Sequence, residues 1–140
     1  MADVSMWRIV ILGVLMHPAT FAGEAYVEKS SLASPHATQA AAADGRFVYA
    51  VSNRKIVKYD RSSSSEISAS EGPASHLNSA VVSGGRVLCA HSNFPLKPEK
   101  GDLRVLDPET MKLTIFHEFI DPPGSLTWAL EKKGSWWCHF

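Results

Sequence analysis

HATQAAAADGRFVYAVSNRKIVKYD, residues His36 to Asp60, and HLNSAVVSGGRVLCAHSNFPLKPEKGDLRVLD, residues His76 to Asp107, are two copies of one pattern. Laid one over the other, His36 meets His76, Ala40 meets Ala80, Gly45–Arg46 meets Gly85–Arg86, Ala50 meets Ala90, and Ser52–Asn53 meets Ser92–Asn93. Each copy closes on a hydrophobic strand that ends in Asp60 or Asp107. A third copy begins at Ser125 (SLTWALEKKGSWWCHF) and stops at Phe140 inside the pattern. A repeat of about 40 residues made of short strands is the mark of β-propeller blades.

Each copy reads as a run of short strands. First strands are expected over Gln39–Ala42, Ser79–Val82 and Thr127–Leu130, and second strands over Phe47–Val51, Val87–His91 and Trp136–Phe140. Tight turns at Asp44–Gly45, Gly84–Gly85 and Lys133–Gly134 join them, since two-residue hairpin turns favour residues that accept positive φ. Third strands fall at Ile56–Tyr59 and Leu103–Leu106, and fourth strands at Ile67–Ala69 and Leu113–Phe116. The fold class expected is all-β: four-stranded antiparallel propeller blades, about two and a half of them, forming an incomplete β-propeller behind a signal-peptide helix. The divisions are a signal peptide over 1–25, a linker over 26–35, blades over 36–75 and 76–124, and a half blade over 125–140. Two and a half blades leave faces and edges unpaired. The expectation is therefore the amino-terminal part of a longer protein, prone to self-association through its open blade edge.

The first 25 residues are built differently. Arg8 precedes an unbroken apolar run, Ile9 to Met16, which Pro18 ends before the small residues of ATFAGEA. That order is the one of a secretory signal peptide. As a helix the run spans only ~12 Å, too short for a bilayer. Cleavage after Ala22 or Ala25 would give an exported, periplasmic or extracellular chain with no integral membrane segment. The 140 residues carry 14 basic and 14 acidic side chains, a formal net charge of zero, with no basic cluster to act as a nucleic-acid footprint. Cys89 and Cys138 share a column, four residues past Gly85 and Gly134. Equivalent positions in neighbouring blades lie too far apart for a disulfide, so both read as small buried residues.

FVYAVSN, KYD, HLNSAVV, LCAHSNFPLKPEK, LRVLDPETMKL and GSLTWALEKKGSWW give the chain a likeness to a known group. From about Ala40 to Cys138 it resembles uncharacterised exported bacterial β-propeller proteins of the NHL, YVTN and quinoprotein-like repeat type. The resemblance implies a ring with a ligand face, in some families with lactonase, cyclase or dehydrogenase activity. No catalytic motif of those enzymes matches residue by residue, and none is carried over.

Polar residues that enter first strands and leave second strands belong on one end of a meander. That places His76 and Asn78 beside His91, Ser92, Asn93 and the FPLKPEKG loop, on what would be the channel face. As a site, His76 would transfer a proton or bind metal, with Asn78 as an oxygen ligand. As structure, both would bond the loop backbone. The structural reading is preferred, because no carboxylate accompanies them. His91 stands where the first copy has Val51, which points to a local role against the long loop. No Cys-x-x-Cys pair supports zinc, and no G-x-S-x-G, Walker or H-E-x-x-H motif occurs. Asp60 and Asp107 read as turn residues, and Trp128, Trp136 and Trp137 as packing. The function expected is an exported module that binds a small molecule or protein of unknown identity, with no cofactor assigned. The alternative is a propeller hydrolase, lactonase or isomerase working on the same face.

Overall fold

The computed structural model describes residues 27–140; the signal peptide expected over 1–25, helix included, lies outside the described residues. The unit formed by residues 32–140 carries ten strands and, among the described residues, no helix. Four make sheet 1: β1 (Ala40–Ala43), β2 (Phe47–Val51), β3 (Ile56–Asp60) and β4 (Glu66–Ala69), in the order β1-β2-β3-β4. Four make sheet 2: β5 (His76–Ser83), β6 (Arg86–Ser92), β7 (Gly101–Leu106) and β8 (Leu113–Phe119), in the order β5-β6-β7-β8. The last two, β9 (Trp128–Lys132) and β10 (Ser135–His139), form a hairpin. All neighbours pair antiparallel. The sheets remain separate and close into no barrel or ring among the described residues.

The turns show how the repeat is built. Gly84 and Gly85 have φ of 56° and 74°, and Lys133 and Gly134 have 54° and 76°, the left-handed pair that a two-residue hairpin needs. The first turn differs. Gly45 stays outside the left-handed region, and the Asp44 carboxylate instead accepts the N–H groups of Arg46 at 2.7 Å and Phe47 at 2.6 Å. This turn spans Gly45–Arg46, one residue later than the other two, because Ala43 pairs Val48 whereas Ser83 pairs Arg86. The sequence overlay is thus out by one: Val48 corresponds to Val87, Ala50 to Cys89, and Val51 to Ala90. The ladders agree, since Val48 pairs Tyr59 just before Asp60, and Val87 pairs Leu106 just before Asp107. A one-residue slip exchanges the two faces of a strand, so it matters for every assignment. A bulge between Leu77 and Ala80 takes up the extra residue in β5.

Alternation along the strands then gives two seams. Tyr49, Val51 and Ile56 of sheet 1 pack with Val87, Cys89, Leu106 and Leu113 of sheet 2 around the fully buried Leu77. On the far side of sheet 2, Ala90 and Leu103 pack with Leu126, Ala129, Cys138 and Phe140. The outer face of sheet 1, Ala50, Val57 and Tyr59, is covered by Leu32, and Ser34 Oγ lies 2.9 Å from the Tyr59 hydroxyl. Residues 32–35, read from the sequence as linker, therefore include part of a core. Sheets 1 and 2 are also laced at both ends. Leu77 N–H donates to Asn53 C=O at 2.9 Å, and Glu71 forms a parallel bridge with Lys112.

Candidate polar site at the loop end of sheet 2

β5 begins at His76 and β6 runs to Ser92, so His76, Asn78, His91 and Ser92 all lie within strands, at the end where Asn93 opens the long loop to β7. The five residues singled out in the sequence do gather there, in different roles. Asn78 is a brace: its Nδ2 donates to Leu126 C=O at 2.6 Å and to Ser92 Oγ at 3.4 Å. Ser92 Oγ also accepts from Ser125 Oγ at 2.8 Å. Together they fasten the segment leading into β9 onto sheet 2. Asn93 spans its own loop, donating from Nδ2 to Pro98 C=O at 2.9 Å and accepting Lys100 N–H on Oδ1 at 2.8 Å. Among the described residues His76 makes no side-chain hydrogen bond; its ring lies 5.2 Å from that of Phe94, tilted by 39°.

His91 heads a buried charge network that the sequence did not reveal. Its Nδ1 is 2.8 Å from Asp102 Oδ2, and Arg104 Nε donates to Asp102 Oδ1 at 2.6 Å. Arg104 also reaches Pro73 C=O with its other end. Ser75 completes the chain: its N–H donates to His91 Nε2 at 3.1 Å, its Oγ lies 3.0 Å from the same nitrogen, and that Oγ donates to Ser92 C=O at 3.1 Å. An amide N–H aimed at Nε2 requires a lone pair there, so the proton sits on Nδ1, directed at Asp102. His91, Asp102 and Arg104 are all buried. Burial alone would raise the Asp102 pKa, but hydrogen bonds from His91 and Arg104 outweigh it and hold the carboxyl below its ordinary range. Among the described residues no buried side-chain nitrogen or oxygen lacks a partner.

The order Ser75, His91, Asp102 matches the hydrogen-bond sequence of a nucleophile, base and orienting acid. Three details weaken it as a catalytic device. The Nε2 lone pair is shared with the Ser75 amide, the Ser75 hydroxyl has a carbonyl acceptor, and Arg104 neutralises the acid. As a fastener the same set is well made, tying the Pro73–Ser75 connection to β6 and β7.

Above the network, Asn93, Phe94, Pro95, Leu96, Lys97, Glu99 and Ser125 line an opening of about 180 Å³. Phe94 and Leu96 are 58% and 65% exposed on its rim. Gly101 closes the loop where space is tightest, since a Cβ there would come within 3.1 Å of Leu126 Cβ. Among the described residues no three His, Cys, Asp or Glu side chains gather as a metal site. Asp60 and Asp107 are turn residues. Their Oδ1 atoms accept the N–H groups of Ser62 and Ser63, and of Glu109 and Thr110, and the Asp60 carboxyl is lowered to about 2, chiefly by the Ser62 hydroxyl.

No protein-family model matches the chain, and no curated protein matches it. Among solved structures, the computationally designed Ika4 protein is similar with a TM-score of 0.44 and 11% identity, over 83% of this chain and 99% of that one.

Proposed function

We propose that the protein is an exported, propeller-type binding module whose ligand surface is the Asn93–Lys100 loop with His76 and Ser125. One observation carries the reading. At this end of sheet 2 the polar atoms of Asn78, Ser92 and Asn93 are engaged internally, while Phe94 and Leu96 stay exposed around a small opening, with the half-buried His76 ring beside Phe94. Apolar walls with a few fixed polar groups are the usual make-up of a ligand pocket. The size suits one ring of a small molecule, or a single side chain of a protein partner. The propeller part of the reading is supported by three like units whose first strands, β1, β5 and β9, pack side by side. Screening a library of aromatic fragments by NMR against the mature chain tests the site. Binding should perturb His76, Asn93–Glu99 and Ser125 and be lost in Phe94→Ala; perturbations confined to other surfaces would sink the assignment. Export is tested by intact mass after bacterial expression, which should show loss of 22 or 25 residues.

The Ser75–His91–Asp102 alignment supports a second reading, a hydrolase. p-Nitrophenyl acetate separates the two. A binding module leaves turnover at background. Turnover that disappears in both Ser75→Ala and His91→Ala would replace binding with hydrolysis.

A further inference from the structure

We infer that His91 is an acid-operated latch on the Pro73–Ser75 connection: the neutral ring holds the Ser75 amide, and a second proton passes the hold to the Ser75 hydroxyl. The latch is independent of the loop site proposed above. The connection runs from β4 of sheet 1 to β5 of sheet 2, and sheet 2 grips it at two points. Arg104 donates to Pro73 C=O, and His91 Nε2 accepts the Ser75 N–H at 3.1 Å. The first grip is permanent, because a guanidinium keeps its protons at any working pH. The second is conditional. A ring nitrogen accepts only while it carries a lone pair, and imidazole is the side chain that gains a proton there near neutral pH.

Geometry supplies the second position. Ser75 Oγ lies 3.0 Å from the same Nε2 and sends its own proton to Ser92 C=O at 3.1 Å. Its lone pairs are left for a donor. In the neutral ring Nε2 takes the amide. In the charged ring Nε2–H meets the amide N–H donor against donor, and the hydroxyl oxygen accepts the new proton. One protonation breaks a bond to the connection and makes another, and no buried ring nitrogen is left unpaired. Asp102 Oδ2, 2.8 Å from Nδ1, holds the other proton in both states, so only the Ser75 side changes. Access favours that side too: the His91 residue is 5% exposed, whereas Ser75 is exposed.

The groups around the ring set the direction of the switch. From β7 come Asp102, whose charge favours the imidazolium, and Arg104, whose charge opposes it and which sits chiefly on Oδ1 of the same carboxylate. On β8 Glu118 stands opposite Asp102 in register, and on β6 itself Cys89 shares the face of His91. β5 sets Leu77 opposite His91, and sheet 1 packs on Leu77 with Tyr49, Val51 and Ile56. The Tyr49 hydroxyl is spent on Asp44, and Lys58 reaches Pro108 C=O. The β2–β3 turn, bonded to Leu77 N–H through Asn53 C=O, carries Arg54 and Lys55. His76, next to Ser75 in the chain, alternates onto the other face, against Phe94.

An NMR titration between about pH 8 and pH 5 tests the latch, in His76→Gln so that the neighbouring imidazole does not titrate. The His91 ring and the Ser75 amide should share one midpoint. Below it the amide should move upfield and exchange faster, as a donor that has lost its acceptor does, while Arg104 Nε–H stays where it is. Ser75→Ala keeps the amide but removes the second acceptor. It should lower the His91 midpoint by at least half a pH unit, about a threefold loss of proton affinity. Asp102→Asn, which removes the favourable charge, should lower it by about a unit or more. A Ser75 amide that does not move while His91 titrates would overturn the latch. So would a ring that stays neutral until the chain unfolds, or a midpoint unchanged in Ser75→Ala.

Discussion

The β2–β3 turn of sheet 1 and the β6–β7 loop of sheet 2 fill the same slot in two copies of one pattern. In sheet 1 the slot closes quickly. Ser52 N–H donates to Lys55 C=O at 2.9 Å, and the Ser52 hydroxyl donates to the same carbonyl at 3.1 Å. In sheet 2 the ladder continues through His91–Asp102 and Ser92–Gly101 before the loop leaves. By register His91 stands where Ser52 does and Asp102 where Lys55 does. An exposed, self-satisfied turn has become a buried ion network under an eight-residue loop. The difference teaches how such a loop can hold apolar side chains in water: its base is fixed by a buried hydrogen-bonded network of His91, Asp102 and Arg104, so its tip is free to vary.

The largest test of that contrast is Asp102→Ala, which leaves His91 and Arg104 buried without their acceptor. Breaking a buried pair in this way costs about 3–5 kcal/mol, read from urea unfolding. Lys55→Ala, at the matching place in sheet 1, should stay within about 0.5 kcal/mol. Equal effects would erase the distinction.

Acid provides the next test. The Asp102 pKa is lowered on folding, so the stability it contributes is complete above the unfolded value, 3.8, and is lost as pH falls through the lower folded value. In Asp102→Asn the acid limb of the pH–stability curve should be shallower than in the native chain. It should not be flat, because Asp44, Asp60 and Asp107 are lowered too and remain. An unchanged limb would mean the network does not hold the ionised form.

Asn93→Ala removes two hydrogen bonds across the loop, and about 1 kcal/mol is expected, with faster amide exchange at Lys100. Smallest of all is Phe94→Ala. An exposed ring contributes little to stability, and a change within about 0.5 kcal/mol should accompany complete loss of fragment perturbation. A large stability loss would make Phe94 part of the fold and not of a site.

Much of this was legible in the residues. β2 and the start of β3 follow from runs rich in aromatic and β-branched residues, and Gly84–Gly85 and Lys133–Gly134 sit in the left-handed turns expected of them. The grouping of His76, Asn78, His91, Ser92 and Asn93 at one end was also readable, because a meander brings those positions together. The one-residue offset was not. Gly-Arg occurs in both copies, but Asp44 holds the first turn with its side chain, and the bulge in β5 that absorbs the extra residue has no composition signal. Asp102 was missed for a related reason. Its strand was read as starting at Leu103, yet Asp102 and Arg104 alternate onto one face, and that face meets His91. A charged pair at strand spacing beside a buried histidine is the signal that could have found it.

The shared column of Cys89 and Cys138 has a consequence for watching the molecule move. Both thiols are free, and they sit in different seams: Cys89 between the two sheets, Cys138 between sheet 2 and the hairpin. Burial pushes Cys89 up to about 12 and raises Cys138 as well. Only a thiolate is readily alkylated, so Cys89 is silent while its seam is shut. Labelling of Cys89 then counts the moments at which the sheets part, and labelling of the half-buried Cys138 counts the lifting of the hairpin. The native chain carries two chemical clocks, one for each seam, readable by mass after a timed pulse of reagent.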